Sequence, residues 1–370
     1  MIKGVVINPR SNIIKNELNY RALSALNCSM IKLYDSDPIK FFEEFKLGKK
    51  RKDRKNVSLY IGDIVDFYIL DCNGDEEIFE SRFDEKFKLY EGVKGTKQVY
   101  SLCDKVYEIR QQYANDQGVI TVEFDIFFKE AYDNIKEQGL YKSKDYDKVL
   151  EDFNKNGKDY FKYLIDNSDK VIVDYSIVNK AKKVAKSVID DEFCKDLFIE
   201  TDTIEHFTKF PIQWNFKTSD GQVLQCKSEL DLFIIDHLKK EIYPKDLKTN
   251  YDNENFEFSY LKYRYDLQAA FYYLALKEWA KENELGDYKI LPMEFIVADT
   301  SSNNRRPIRY KTTERDLEAG LNGYNLNRVR YNGIYDIVNS ICWSDQNDIW
   351  NISKEVFENK GIMKLNLEYE

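Results

Sequence analysis

Three charged residues stand in stretches whose apolar pattern makes a charge costly. Asp231, in Lys227-Ser-Glu-Leu-Asp-Leu-Phe-Ile-Ile-Asp236, is followed by four apolar residues. Asp246 and Lys248, in Tyr243-Pro-Lys-Asp-Leu-Lys-Thr249, are two apart, and strand alternation points both the same way. Burying charge on a sheet is unfavourable unless it is paired or holds a metal. A hairpin joining the two segments brings Asp231 beside Asp246, so two carboxylates and one ammonium converge. With a backbone carbonyl such as that of Leu247, this set suits a hard divalent cation, Mg or Mn, and leaves water positions open. A metal there lowers the pKa of a bound water and offsets charge developing on a phosphate. Lys248 then orients the water or stabilises the added negative charge.

The Asp-x-Lys spacing is not distinctive alone. Asp53-Arg-Lys55, Asp84-Glu-Lys86 and Asp287-Tyr-Lys289 repeat it, and Glu44-Phe-Lys46 and Glu358-Asn-Lys360 give the glutamate form. None of these follows an acid-bearing apolar strand across a short hairpin. Taken singly, Asp246 and Lys248 read as a surface salt bridge. The segment downstream changes the balance. Arg264, Gln268 and Tyr272 recur every four residues, on one stripe of one helix. A guanidinium, an amide and a phenol can all donate to phosphate oxygens. The plainer alternative makes Tyr272 a core aromatic and Gln268 a helix-surface residue.

The elements that must position these groups follow from periodicity. Helices are expected over Ala22 to Leu33, from Pro38 through Phe45, and from about Ser58 to Leu70, the last ending at the Asn73-Gly74 turn. Residues 97–203 are charged and helix-periodic, and read as a large helical insertion. Strands are expected over Ile204 to Phe216, Val223 to Asp236 and Glu241 to Thr249, joined by turns at Thr218-Ser-Asp-Gly221 and Asp236 to Lys240. Ser259 is expected to cap a long helix reaching about Lys281, followed by a strand over Ile290 to Ala298. Ile308 to Tyr310 offers a further strand, and helical sequence resumes from Thr313.

In order and motifs the chain resembles the PD-(D/E)XK nuclease superfamily, and within it the RecB-like and phage RecE-like exonuclease branch. The resemblance covers roughly residues 58–72 and 204–300. It implies an α/β (α+β) restriction-endonuclease-like core, ordered helix-strand-strand-strand-helix-strand, carrying the helical insertion. The implied division is 1–96 for the N-terminal helices and first core helix, 97–203 for the insertion, 204–312 for the nuclease core and 313–370 for a C-terminal helical region. Asp231 falls on the family's first strand acid, Asp246-Leu-Lys248 on its D/E-x-K element, and Gln268 with Tyr272 on the Q-x-x-x-Y helix signature. The family's Gly-x-x-x-His element corresponds to Gly62-Asp-Ile-Val-Asp66, where aspartate replaces histidine. Asp66 thereby becomes a further oxygen ligand, with Asp63 as a competitor. Some relatives hold an iron–sulfur cluster on three clustered late cysteines, but Cys342 stands alone late in this chain, so no cluster is expected.

Composition bounds the rest. The chain has 370 residues, of which 43% are hydrophobic and 33% charged, which describes a globular protein rather than a disordered one. No apolar run is long enough for a membrane span or a secretory signal, so a cytoplasmic location is expected, with phage origin as one variant. The six cysteines include no CxxC pair and are expected to be reduced and buried. A net charge of −9 leaves nucleic-acid binding to local surfaces, chiefly residues 46–55, where seven of ten are basic. Lys49, Lys50, Arg51, Lys52 and Arg54 there, together with Arg264, are the expected DNA contacts, although a solvated loop explains the block as well. The resulting expectation is a Mg- or Mn-dependent deoxyribonuclease, an exonuclease acting at DNA ends in recombination or repair. The resemblance adds a recombination mediator as a partner. The alternatives are an inactive nucleic-acid-binding protein on a nuclease fold, and a structural or interaction protein working through the helical segment 97–200. The oligomeric state is left open.

Overall fold

A computed structural model describes residues 24–49, 57–91, 96–114, 119–301, 303 and 305–363. Helix α1 (Cys28–Ser36) begins where the Asn27 side chain accepts the Met30 N–H, and the Asp37 side chain caps α2 (Pro38–Phe41). Helix α3 (Val57–Asp66) continues directly into a π-helical turn, Phe67–Asp71. Next come α4 (Glu76–Lys86), β1 (Phe87–Leu89), α5 (Lys97–Gln112), α6 (Phe124–Glu137), α7 (Tyr146–Asn156), α8 (Lys158–Asp166), β2 (Val171–Val173) and α9 (Tyr175–Ile189). The main sheet is built from β3 (Ile204–Lys217), β4 (Val223–Asp236), β5 (Glu241–Asn250), β6 (Lys289–Ile290), β7 (Glu294–Asp299) and β8 (Ile308–Lys311). Helices α10 (Phe256–Lys262) and α11 (Tyr265–Glu282) lie between β5 and β6 in sequence. After β8 come α12 (Glu314–Asn322), the hairpin β9 (Tyr324–Leu326) and β10 (Val329–Tyr331), α13 (Ile334–Asn347) and α14 (Lys354–Glu358).

The chain packs as two compact units. One comprises residues 50–64 and 75–182. Among the described residues it is mainly helical, with a short parallel pair in which Phe87 lies opposite Val171. Its core gathers the inward faces of α5 to α8, among them Leu102, Val106, Phe128, Ile135, Phe153 and Leu164.

The other unit comprises residues 1–49, 65–74 and 183–370 and holds the main sheet. Its strand order is β3-β4-β5-β7-β8, with β6 also pairing β5. Strands β3, β4 and β5 are antiparallel, joined by tight turns; at the first, the Thr218 N–H donates to the Gln222 carbonyl and Gly221 takes a left-handed φ of +88°. The β5–β7 pair is parallel, so the chain must cross over, and α10 and α11 make that crossing. Strand β3 alternates buried Ile212, Trp214 and Phe216 with exposed Pro211, Gln213 and Asn215. Those buried residues join Leu230, Phe233, Ile235 and Ile242 in one apolar core with Leu267, Phe271 and Leu276 of α11.

Three expected elements are revised; one is the strand over Ile290 to Ala298, which is the two strands β6 and β7. The long helix from Ser259 to Lys281 is two helices, because Arg264 adopts the left-handed region (φ +51°, ψ +53°) and turns the chain between α10 and α11. Ser259 therefore sits inside α10, where its hydroxyl accepts from Asn250 Nδ2 at 2.9 Å. The first helix begins at Cys28 rather than Ala22, since Asn27 caps it; residue 22 lies outside the described residues. All six cysteines are buried. No helix among the described residues is long and apolar enough to cross a membrane.

Helix α11 must seat closely, because it carries site residues at its first turns. Gly320 of α12 makes this contact possible: a Cβ there would lie 2.4 Å from the Asp266 carbonyl oxygen and 3.0 Å from the Ala270 Cβ. Gly320→Ala is accordingly expected to destabilise the protein by about 1–3 kcal/mol, the usual range for overpacking, as read by urea denaturation.

Candidate active site

Strand β3 is interrupted at Lys209. Its backbone is left-handed (φ +44°), which costs a non-glycine residue roughly 1–2 kcal/mol. Pairing with β4 skips it, with Thr208 opposite Leu232 on one side and Phe210 opposite Leu230 on the other. The residue facing Lys209 across this gap is Asp231. On the other flank of β4, the ladder to β5 ends with Leu232 opposite Lys245; the same register continued by one residue sets Asp231 opposite Asp246, and the Asp231 side chain accepts the Leu247 N–H. Lys209, Asp231 and Asp246 therefore form a row across three adjacent strands. Asp66 approaches the same row from the end of α3, just before the π-helical turn, a distortion that often re-aims side chains at functional sites.

The row is held by charge. Lys209 Nζ donates to Asp66 Oδ2 at 2.9 Å and to Asp231 Oδ1 at 2.8 Å. Asp231 Oδ2 accepts the backbone N–H of Leu247 at 3.2 Å. Asp246 is almost fully buried; its Oδ1 accepts from Gln268 Nε2 at 2.5 Å. Its Oδ2 is ion-paired with Lys248 Nζ yet receives no aligned hydrogen bond. Lys248 Nζ also lies over the Tyr265 ring, 4.9 Å from the centroid, and Lys32 Nζ from α1 lies 5.0 Å from the centroid of the same ring.

These contacts set the charge states. Burial pushes Asp66 up to about 7, with Lys209 pulling down and the Asp231 charge adding to the rise. Burial also lifts Asp246 to about 6 against the pull of Lys248. Burial works against a charge on Asp231 too, but Lys209 and Lys248 outweigh it and hold this carboxyl below its ordinary range. Burial disfavours both ammoniums, yet the facing carboxylates raise Lys209 and Lys248 above the usual lysine value. Lys248 is thus a fixed positive charge rather than a base. Lys32 is pushed the opposite way, downward, chiefly by burial.

The expected site residues fall into three groups. Asp66, Asp231, Asp246, Lys248 and Gln268 are brought together. Leu247 enters through its N–H, which donates to Asp231. Tyr272, one turn beyond Gln268 on α11, is half-buried and packs against the apolar clusters on either side of it. Asp63 is exposed. Arg264 is a correction: it precedes α11 and so does not share a stripe with Gln268 and Tyr272. Its guanidinium is taken up by Asp266 (3.0–3.3 Å), Asp35 and the Asn332 carbonyl. Lys49 is exposed and pairs with Glu43, whereas Lys50, Arg51, Lys52 and Arg54 lie outside the described residues.

Two residues of this constellation, Lys209 and Lys32, lie outside the motifs. Lys209 was findable: the turn at Thr218 to Gly221 fixes the β3–β4 register, and that register sets the single lysine of Phe207-Thr-Lys-Phe210 opposite Asp231. Lys32 had no comparable signal, since its place depends on how α1 docks.

No family model matches the chain, and no curated protein matches it. Among solved structures, one from Eubacterium rectale, named as a candidate exonuclease, aligns over 100% of this chain and 97% of its own, at 10% identity and a TM-score of 0.44.

The raised carboxyls make stability depend on pH. A group whose folded pKa exceeds its unfolded value stabilises most below the unfolded value and loses that contribution as pH rises through the folded one. For Asp246 the window runs from the ordinary 3.8 to about 6, and for Asp66 to about 7. In EDTA, the advantage of the wild type over Asp246→Asn in Tm is expected to shrink across that window. A difference that stays constant with pH would contradict the assignment.

Proposed function

We propose that the chain is a metal-dependent DNA nuclease of the PD-(D/E)XK type, acting at DNA ends as an exonuclease. The observation that carries this reading is the convergence of Asp231, Asp246 and Lys248, with Gln268 fixing the rotamer of Asp246. These are side chains from two strands and a crossover helix, held in register by a sheet. The mixed α/β architecture, with its multi-stranded mixed sheet, supports the reading.

The donor set has the right chemistry for Mg or Mn: hard carboxylate oxygens, among them the buried Asp246 Oδ2, whose present partner is the Lys248 ammonium. Among the described residues, no three carboxylate, imidazole or thiol groups are already gathered as a ligand set. The ammonium of Lys209 instead bridges Asp66 and Asp231. Asp66, Asp231 and Asp246 would hold the ion, with Lys209 as its competitor. When bound, the metal supplies Lewis acidity and a water of lowered pKa.

The chain's own residues do the remaining work. Lys248, kept protonated by Asp246 and Asp231, presents positive charge to a phosphate and stabilises the negative charge added on attack. The Tyr265 ring limits where its Nζ can lie. Gln268 keeps Asp246 turned toward Lys248, and with Tyr272, one turn on, would position the scissile strand. Arg264 acts on position alone, tying the start of α11 to Asp35 and Asn332.

The Lys209 bridge favours one second reading, in which Asp66, Lys209 and Asp231 form a permanent ion triad and the protein binds DNA without cutting it. Two measurements separate the readings. Linear DNA with Mg or Mn is expected to be degraded by the wild type and at least about 100-fold more slowly by Lys248→Ala and Asp246→Ala, the scale of losing one electrostatic contact in a reaction centre. Equal degradation by the variants would overturn the nuclease reading. Lys209→Met is expected to tighten Mn binding, followed by titration calorimetry, by roughly tenfold or more, because the ammonium no longer competes for Asp66 and Asp231. DNA binding with no Mn uptake by either protein would select the second reading.

A further inference from the structure

Three large aromatic side chains are exposed on the segment that leads into the candidate active site. Between β5 and α11, Tyr251 is 73% exposed, Phe258 76% and Tyr263 51%. The segment that bears them is firmly anchored from beneath. Asn253 is fully buried and donates from Nδ2 to the Arg306 carbonyl at 2.7 Å, while the Tyr310 hydroxyl donates to the Asn253 carbonyl at 2.7 Å. Phe256, on the inner side of α10, is buried against Tyr265, Phe295 and Tyr310. The outer rings are therefore held on a rigid support, although the fold gains little from leaving them in water.

Their surroundings alternate ring and cation. On α10, Phe258 and Lys262 are one turn apart and so share a side of the helix. Lys262 Nζ lies 5.4 Å from the Tyr263 ring centroid, and the Tyr263 ring lies 5.9 Å from that of Tyr265. Tyr265 in turn carries Lys248 and Lys32. A line of aromatic faces and ammoniums thus leads from the surface to Asp246. The acidic side chains of the segment do not cancel it: Asp252 and Glu254 are paired with Arg305, leaving Glu257 as the remaining carboxylate.

We infer that the face formed by Tyr251, Phe258, Lys262 and Tyr263 stacks the unpaired bases of a DNA strand whose phosphate lies at Lys248. Every base offers a π-face and every nucleotide a phosphate, so alternating rings and cations suit a single strand of any sequence, whereas a blunt duplex keeps its bases stacked inside. This inference rests on the nuclease reading and adds the form of DNA the site accepts: a single-stranded end or tail.

The test is fluorescence anisotropy in EDTA at fixed salt, with a labelled oligothymidine and a labelled blunt hairpin duplex as probes. It compares the wild type with Phe258→Ala, with Tyr263→Ala and with the triple variant that adds Tyr251→Ala, circular dichroism confirming the fold of each. Each single substitution is expected to weaken oligothymidine binding by roughly 5- to 100-fold, the scale of one lost base stack. The triple variant loses more, while duplex affinity stays within about twofold. A triple variant that binds oligothymidine like the wild type would overturn the inference and leave the nuclease reading intact, the face then serving a protein partner. A wild type that neither binds DNA in EDTA nor degrades it with Mg or Mn would remove both.

Discussion

Three buried or half-buried carboxylates, two on the main sheet and one at the end of α3, are paired with two ammoniums from the same sheet. Taking a carboxylate out of water costs several kcal/mol even after relaxation. Asp66, Asp231 and Asp246 all bear part of that cost, and neither Asp66 nor Asp246 is fully compensated, as their upward shifts show. Lys209 accepts a left-handed backbone in mid-strand to reach Asp66 and Asp231. Such strain persists only where surroundings over-determine it, and it clusters where chemistry or binding needs it. A fold selected for stability alone would gain from apolar side chains at these positions.

The two charged lysines differ in kind. Lys248 is constrained by Asp246 on one side and by the Tyr265 ring on the other, which holds it as a permanent positive charge. Lys209 spans two carboxylates that reach it from different elements, one from the end of α3 and one from β4. It serves as an internal counter-cation for both. The nearby α11 start is fixed by a separate network of Arg264, Asp35, Asp266 and Asn332, so Gln268 arrives at Asp246 from a rigid base.

Much of this arrangement was legible in the residues. Strands β3, β4 and β5 announced themselves through alternation and turns, and the Asp246–Lys248 spacing placed both groups on one face. Register was legible too, though only to a reader who counted outward from Gly221. What stayed hidden depended on long-range packing. Arg264 sits at helical spacing from Gln268, but its own acids, Asp35 and Asp266, draw it into the left-handed corner between α10 and α11. Lys32 reaches Tyr265 through the docking of α1, which no local pattern encodes. The basic block near residue 50 was conspicuous by composition, but among the described residues only Lys49 represents that expected contact, and Glu43 already pairs with it.

The most direct measurement is a crystal structure with Mn, located by its anomalous scattering. The account predicts a peak within ligand distance of Asp231 and Asp246, with the Lys209 side chain withdrawn from between Asp66 and Asp231. Crystals saturated with Mn that show no peak there, and Lys209 still bridging the two carboxylates, would contradict it.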